Sequence, residues 1–253
     1  MIAVVKDDAY GHGAEAVAQA LSDDALLFAV SSVGEGARLR AAGIGKDILV
    51  LTPLLSAEDA LRAGYYDLIA AAASAESLAL AAGLRAHLVL NTGMNRYGFS
   101  PQTIEWACRR ARALGVRVEG VFSHFYDAAD AEARREQTRA FSEGCAVVRR
   151  FFPETLRHLC ATGGILAGGE MFDAVRPGLG LYGYAPPPFE NSLGLLPAMQ
   201  VWACVGQETR PYGGGAGYAA APRAFSALHT LCAGYGAGFV RAGGLDAVGK
   251  LCM

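Results

Sequence analysis

This 253-residue chain has no basic excess, with 22 Lys and Arg against 24 Asp and Glu. That argues against a nucleic-acid partner, which would ask for a positively charged face. No apolar run approaches the ~18 residues of a membrane span. The amino end lacks the basic segment, apolar core and small-residue cleavage site of a signal peptide, so the expected location is cytoplasmic. Cys-X-X-Cys pairs are also missing. Six cysteines (Cys108, Cys145, Cys160, Cys204, Cys232, Cys252) are scattered with no histidine at ligand spacing, so reduced thiols are expected and a metal site is not.

What the chain does have is apolar residues, 53 % of the total, arranged as short runs alternating with helical patterns. Strands are expected up to Lys6 and over 26–32, 47–53, 67–73, 86–92, 118–125, 156–162 and 173–184. Most pairs of strands are separated by one helix, as at 57–63, 77–82, 103–114 and 131–151. Repeated βα units with short connections imply a parallel sheet covered by helices, and eight of them favour closure into a TIM-like (β/α)8 barrel. After Tyr184 the composition changes. Ala185 to Pro188 forms a stiff linker, and the β-type, glycine-rich residues that follow read as an incomplete all-β domain. The expected division is a barrel over 1–184 and a partial C-terminal β domain over 190–253. Both ends look abrupt, and a chain truncated at both is the expectation.

The stretch IAVVKDDAYGHG, residues 2–13, carries the clearest chemical signal. A buried strand runs into Lys6, followed by a Gly-His-Gly turn and an alanine-rich helix. Side chains just past the carboxyl ends of barrel strands converge on a shared pocket, and a lysine amine in low-dielectric surroundings can become a nucleophile. By residue type alone, a lysine at a strand end more often points at water.

The wording of the stretch is more specific than its composition. It resembles the cofactor-lysine segment of alanine racemases, barrel-type enzymes that use pyridoxal 5'-phosphate. The resemblance covers nearly the whole chain and implies a set of roles. Lys6 would hold the cofactor and act as one catalytic base. Tyr10, Thr162 in LCATGG and the backbone amides of Gly178 and Leu179 in VRPGLGLYGY would contact the phosphate. Arg96 in NTGMNRYG would orient substrate and cofactor. Arg176 would face the pyridine nitrogen, with His124 in VFSHF bonded to it. A guanidinium does not give up its proton, so such a site keeps the cofactor a weak electron sink and favours reprotonation of Cα. Barrel-type decarboxylases place a carboxylate there instead, so Arg176 speaks against them. Tyr218 in GGAGYAAAP matches the second catalytic base, which the family supplies from a partner subunit. Tyr235 and the terminal Cys252-Met253 match substrate-facing residues from that same subunit. Read without the resemblance, His124 would be a core histidine, Arg96 a solvated arginine, Arg176-Pro177-Gly178 a turn and Tyr218 a hairpin tyrosine.

The resemblance thus implies a homodimeric racemase for a small amino acid, alanine or also serine, with roles in D-alanine supply for peptidoglycan precursors. The chain departs from the family pattern at four places. Val89 and Asn91 stand where a carbamylated lysine and an aspartate are frequent, so Arg96 has to be held differently. Ala161-Thr162 replaces an Asn-Ser pair. GYGAG replaces GYADG beside Tyr235, and the segment from Tyr235 to Cys252 is short. The alternative reading is a non-catalytic pyridoxal-phosphate-binding carrier or an inactive racemase fragment. The related single-barrel carriers have no β domain, which the residues around Tyr218 discriminate against.

Overall fold

The computed structural model describes residues 1–210, 215–216, 219–220 and 227–234. The apolar runs form eight strands: β1 (Ile2–Val4), β2 (Leu27–Val30), β3 (Ile48–Pro53), β4 (Ile69–Ala72), β5 (Arg85–Val89), β6 (Arg117–Phe122), β7 (Leu156–Ala161) and β8 (Ala174–Arg176). They lie side by side in sequence order, all parallel. The N–H of Val4 donates to the carbonyl of Pro177 at 3.1 Å, bringing the first strand against the last. The sheet is a nearly closed barrel, as the eight-unit pattern implies.

Alternation along each strand sorts the core into two shells. Ile2, Val4, Leu27, Ala29, Leu49, Ile69 and Ala174 pack together inside the barrel. Their neighbours Ala3, Phe28, Ile48, Val50 and Ala70 belong to the larger cluster under the helices. Short βα turns end in helix caps that the sequence spells out. Ser32, Ser56 and Ser74 accept from the N–H groups of Glu35, Asp59 and Ser77, and Asp130 caps the long helix Ala131–Phe151. Such caps satisfy N–H groups that have no intrahelical partner.

At the amino ends of the strands, Arg85 grips both oxygens of Asp47 at 2.7 and 2.8 Å and Glu119 at 2.9 Å. This ties together the starts of β3, β5 and β6 at the end of the barrel opposite the mouth. At the carboxyl ends the strands stop earlier than expected. β1 ends at Val4 rather than Lys6, β5 at Val89, β6 at Phe122, and the 173–184 stretch gives only three strand residues followed by a 3-10 turn over Leu179–Tyr182. Pro177 cannot donate to a ladder, which ends β8.

The first compact unit is Met1–Met199. It continues beyond residue 184 because 185–199 folds back on the barrel: the N–H of Ala198 donates to the Tyr182 carbonyl at 3.0 Å. The second unit, Gln200–Met253, holds an antiparallel pair, Val205–Thr209 with Leu228–Leu231, and a short pairing of Gly215–Ala216 with Ala219–Ala220. Among the described residues no helix is long and apolar enough to cross a membrane.

Candidate active site

The segment after β1 is not the simple loop its sequence suggests. Asp7, Asp8, Ala9 and Tyr10 all adopt φ near +52 to +55°, making one turn of left-handed helix immediately after Lys6. For L-residues this costs roughly 1–2 kcal/mol each, so the turn has to be held. Glu35 is the main tether. Its Oε1 accepts from the Asp7 N–H at 2.9 Å, and its Oε2 accepts from the N–H and hydroxyl of Ser31 at 2.7 and 2.9 Å. Asp8 accepts from the Ala14 N–H at 2.9 Å, and the His12 and Gly13 N–H groups close back on Ala9 and Asp8. The turn brings Tyr10 back beside Lys6, whose Nζ lies 6.0 Å from the Tyr10 ring centre. Lys6 keeps 36 % of its side chain exposed, 3.8 Å from the Asp7 carboxylate.

Arg176, the last residue of β8, is 3 % exposed. Every partner it has among the described residues is neutral. Nη1 donates to the His158 carbonyl at 2.7 Å and to His158 Nδ1 at 2.8 Å. Nη2 donates to the Ser123 and Leu159 carbonyls at 2.6 and 3.1 Å, with His124 Nδ1 at 3.3 Å. The four Nη hydrogens are thereby committed to protein acceptors, and only Nε–H is left for the cavity that Arg176 lines. Phe122 stacks on the His158 ring and lies 5.3 Å under the guanidinium. Burial of this charge without a carboxylate pulls the Arg176 pKa down to about 10, still above neutral pH.

Because a guanidinium only donates, the nitrogens facing Arg176 must be lone pairs. His124 therefore carries its proton on Nε2. Burial, followed by the nearby Arg176, Arg96 and Lys6 cations, pushes its pKa down to about 3, so this imidazole is neutral. His124 lies two residues past the end of β6, and its carbonyl accepts from Gln137 at 3.0 Å.

Arg96 sits on a loop organised by Asn91. The Asn91 side-chain oxygen accepts from the N–H groups of Gly93 and Asn95 at 3.1 Å each, and its amide donates to Asn95 at 3.0 Å. Gly98, at φ +117°, brings the chain back so closely that a Cβ there would fall 2.6 Å from the Asn91 nitrogen. This self-closed turn fixes the backbone from which Arg96 projects. Arg96 itself is exposed and makes no ion pair among the described residues.

Thr162 begins the short helix after β7. Its hydroxyl accepts from the N–H groups of Gly178 and Gly180 at 3.1 and 3.0 Å. The Gly178 amide is thus spent within the protein, and the Leu179 N–H is the one of the expected pair with no acceptor among the described residues. A Cβ on Gly178 would lie 2.6 Å from the Tyr10 hydroxyl oxygen, which places that hydroxyl directly against the glycine. Burial, then Asp7, raises the Tyr10 pKa, so the phenol stays protonated as a donor.

These elements meet in one cavity of about 330 Å³ at the carboxyl ends of the strands. Lys6, Tyr10, Arg96, His124, Thr162, Arg176, Gly178 and Leu179, all of the barrel residues singled out from the sequence, line it. Three of them are cations, and no aspartate or glutamate is in the lining. Tyr218, Tyr235, Cys252 and Met253 lie outside the described residues. Sequence reasoning missed His158 and His87. Each is fully buried on a strand of apolar residues, in LRHLC and RAHLV. The usable signal was a histidine in an apolar barrel strand, since a buried polar residue is the informative exception.

The comparisons with known proteins agree with this geometry. Residues 1–186 match the model of the alanine racemase N-terminal domain. An alanine racemase from Nitratidesulfovibrio vulgaris is 36 % identical over 99 % of this chain and 75 % of its own length. One from Deinococcus deserti is 33 % identical over 98 % and 75 %. The crystal structure of the biosynthetic alanine racemase from Pseudomonas aeruginosa superposes with a TM-score of 0.85 at 29 % identity, covering all of this chain and 76 % of that one. With the barrel, the mouth cavity and the family model all in agreement, the chain belongs to the alanine racemase family, isomerases that act on alanine.

Proposed function

We propose that the mouth cavity binds pyridoxal 5'-phosphate and that the protein interconverts L- and D-alanine by a two-base mechanism, as a homodimer in which Tyr218 of one protomer serves the other's site. The observation that carries this reading is the cavity lining: a primary amine, two guanidinium groups and a set of hydroxyl and amide donors, with no carboxylate. An anionic ligand with an aldehyde suits that set, and burying the Arg176 charge without an anion costs free energy that such a ligand offsets.

The Lys6 amine would hold the cofactor covalently. Tyr10, the Thr162 turn and the Leu179 N–H would take the phosphate, glycine at 178 allowing close approach. Arg176 would present Nε–H to the ring nitrogen. When bound, the cofactor supplies electron withdrawal from the substrate Cα. Arg176 would limit that withdrawal, because its proton stays on the guanidinium at neutral pH. Lys6 would move a proton on one face of Cα, and Tyr218 on the other, since one amine reaches one face only. Arg96, free of ion pairs among the described residues, would take the substrate carboxylate through its planar fork of donors. Tyr235 and Met253 would bound the substrate pocket from the partner protomer, in which serine could compete with alanine. The five described cysteines are free, which suits a cytoplasmic setting.

The test follows chirality and mass together. With cofactor added, the chain should convert L-alanine and D-alanine to the same equimolar mixture. Borohydride treatment should add the cofactor's mass to the peptide containing Lys6, and Lys6→Ala should abolish both. Covalent cofactor on another lysine would overturn the assignment.

A further inference from the structure

We propose that His87 is a positioning residue for Arg176, acting through His158. The role given to Arg176 at the cofactor ring rests on the function proposed above; the relay itself stands on the geometry alone. His87 Nδ1 lies 2.8 Å from His158 Nε2, and His158 Nδ1 lies 2.8 Å from Arg176 Nη1. The direction of each bond is forced from one end. Arg176 has only donors, so His158 Nδ1 accepts. A neutral imidazole then carries its proton on Nε2, so His158 donates to His87, and His87 Nδ1 accepts.

The relay admits no extra proton. A protonated His87 would donate from Nδ1 toward the one His158 nitrogen that bears hydrogen, and a protonated His158 would turn Nδ1 against the guanidinium. Complete burial holds both rings neutral, His87 with a pKa pushed down to about 3. The fold makes room for this chain of bonds deliberately. Gly120 on β6 faces the His87 ring, and a Cβ there would fall 2.6 Å from its atoms. Phe122 clamps the plane of His158. Without the His87 acceptor, the His158 Nε2–H is buried with no partner, a cost that opposes the tautomer Arg176 selects. In the other tautomer its Nδ1–H would oppose Arg176, and the guanidinium would lose the arrangement that leaves Nε–H alone facing the cavity.

The experiment reads the tautomer first. Long-range proton–nitrogen spectra of the full chain, with the His158 signals assigned by their loss in His158→Gln, should show protonation on Nε2 and a hydrogen-bonded lone pair on Nδ1. A proton on Nδ1, or a charged ring near neutral pH, overturns the relay without any variant. His87→Leu should then shift His158 toward a mixed population and lower kcat about tenfold with KM for alanine within about twofold, as losing one hydrogen bond implies. His87→Gln, which offers an amide oxygen acceptor, should restore the Nε2 tautomer and most of kcat. An unchanged His158 tautomer in folded His87→Leu overturns the relay. An intact tautomer in a chain that racemises nothing leaves the relay standing and removes the function proposed for its far end.

Discussion

Thr162 shows how one hydroxyl can matter twice. It accepts from two backbone N–H groups in the Gly178–Gly180 turn, and that turn carries the Leu179 amide and the glycine against Tyr10. Thr162→Val keeps the shape and removes the acceptor, leaving two enclosed donors without a partner at a cost of about 1–3 kcal/mol each at most. Thermal denaturation should show the chain destabilised by about 2 kcal/mol, and a cofactor titration should show weaker binding. Thr162→Ser should restore both. If Thr162→Val binds cofactor as well as the parent does, the phosphate is not held at this turn. Arg176 is less forgiving. A lysine there offers a point charge with three donors to a set of three carbonyls and two imidazoles built for a planar fork. Arg176→Lys should therefore lose racemisation by at least about tenfold, with the defect in kcat rather than in KM for alanine.

At the scale of elements, the left-handed turn after β1 is the part least supported by local preference. Four consecutive non-glycine residues with positive φ have no favourable propensity to explain them, so tertiary contacts must. Glu35 supplies one by accepting from the Asp7 N–H, and two local bonds from Ser31 hold its carboxylate in place. Glu35→Ala should destabilise the chain by about 1–2 kcal/mol, discounted for its partial exposure. It should also slow covalent cofactor loading, because Lys6 leads into the released turn. Unaltered loading would mean that the turn holds itself. This element also marks where sequence reading stops. Strand order, the Ala131–Phe151 helix and the serine caps follow from hydrophobic period and cap residues, which are local. Lys6, Arg96, His124 and Arg176 were legible because they sit in distinctive wording at strand ends. The helicity of Asp7–Tyr10 was not, because its cause lies on Glu35, distant in sequence. The early ends of β1, β5 and β6 were hidden because buried apolar residues, Val5, Leu90 and Phe125, continue past the last strand residue, and composition does not register where the strand stops. His87 and His158 were hidden because each is meaningful only beside the other, and they meet over Gly120 of the strand between them, a contact that strand order and register create.

Across the whole molecule, the buried histidines make acid stability a property of the barrel interior. His87 and His124 have pKa values pushed down to about 3, and His158 lies well below its ordinary value, burial being the largest cause for each. In the unfolded chain each returns to about 6.5. Between these limits the unfolded state binds protons that the native state does not, so stability rises with pH and is lost as pH falls below about 6.5. Each such histidine contributes a slope of up to about 1.4 kcal/mol per pH unit, and three of them about 4 as an upper bound. Against a total stability of roughly 5–15 kcal/mol, that brings acid unfolding into the region of pH 5. Asp47 and Asp173, whose carboxyls are held below their usual range chiefly by hydrogen bonds from Arg85 and Arg157, act in a different window. Their contribution is complete above about pH 4 and fades only below it. Denaturant unfolding of the cofactor-free chain at a series of pH values separates the two. The stability curve should fall from pH 6.5 to 5, and His124→Asn should flatten its slope by about a third. A curve level down to pH 4 would mean that the three imidazoles take up protons while the barrel is still folded, and the fixed tautomers around Arg176 would have to be abandoned.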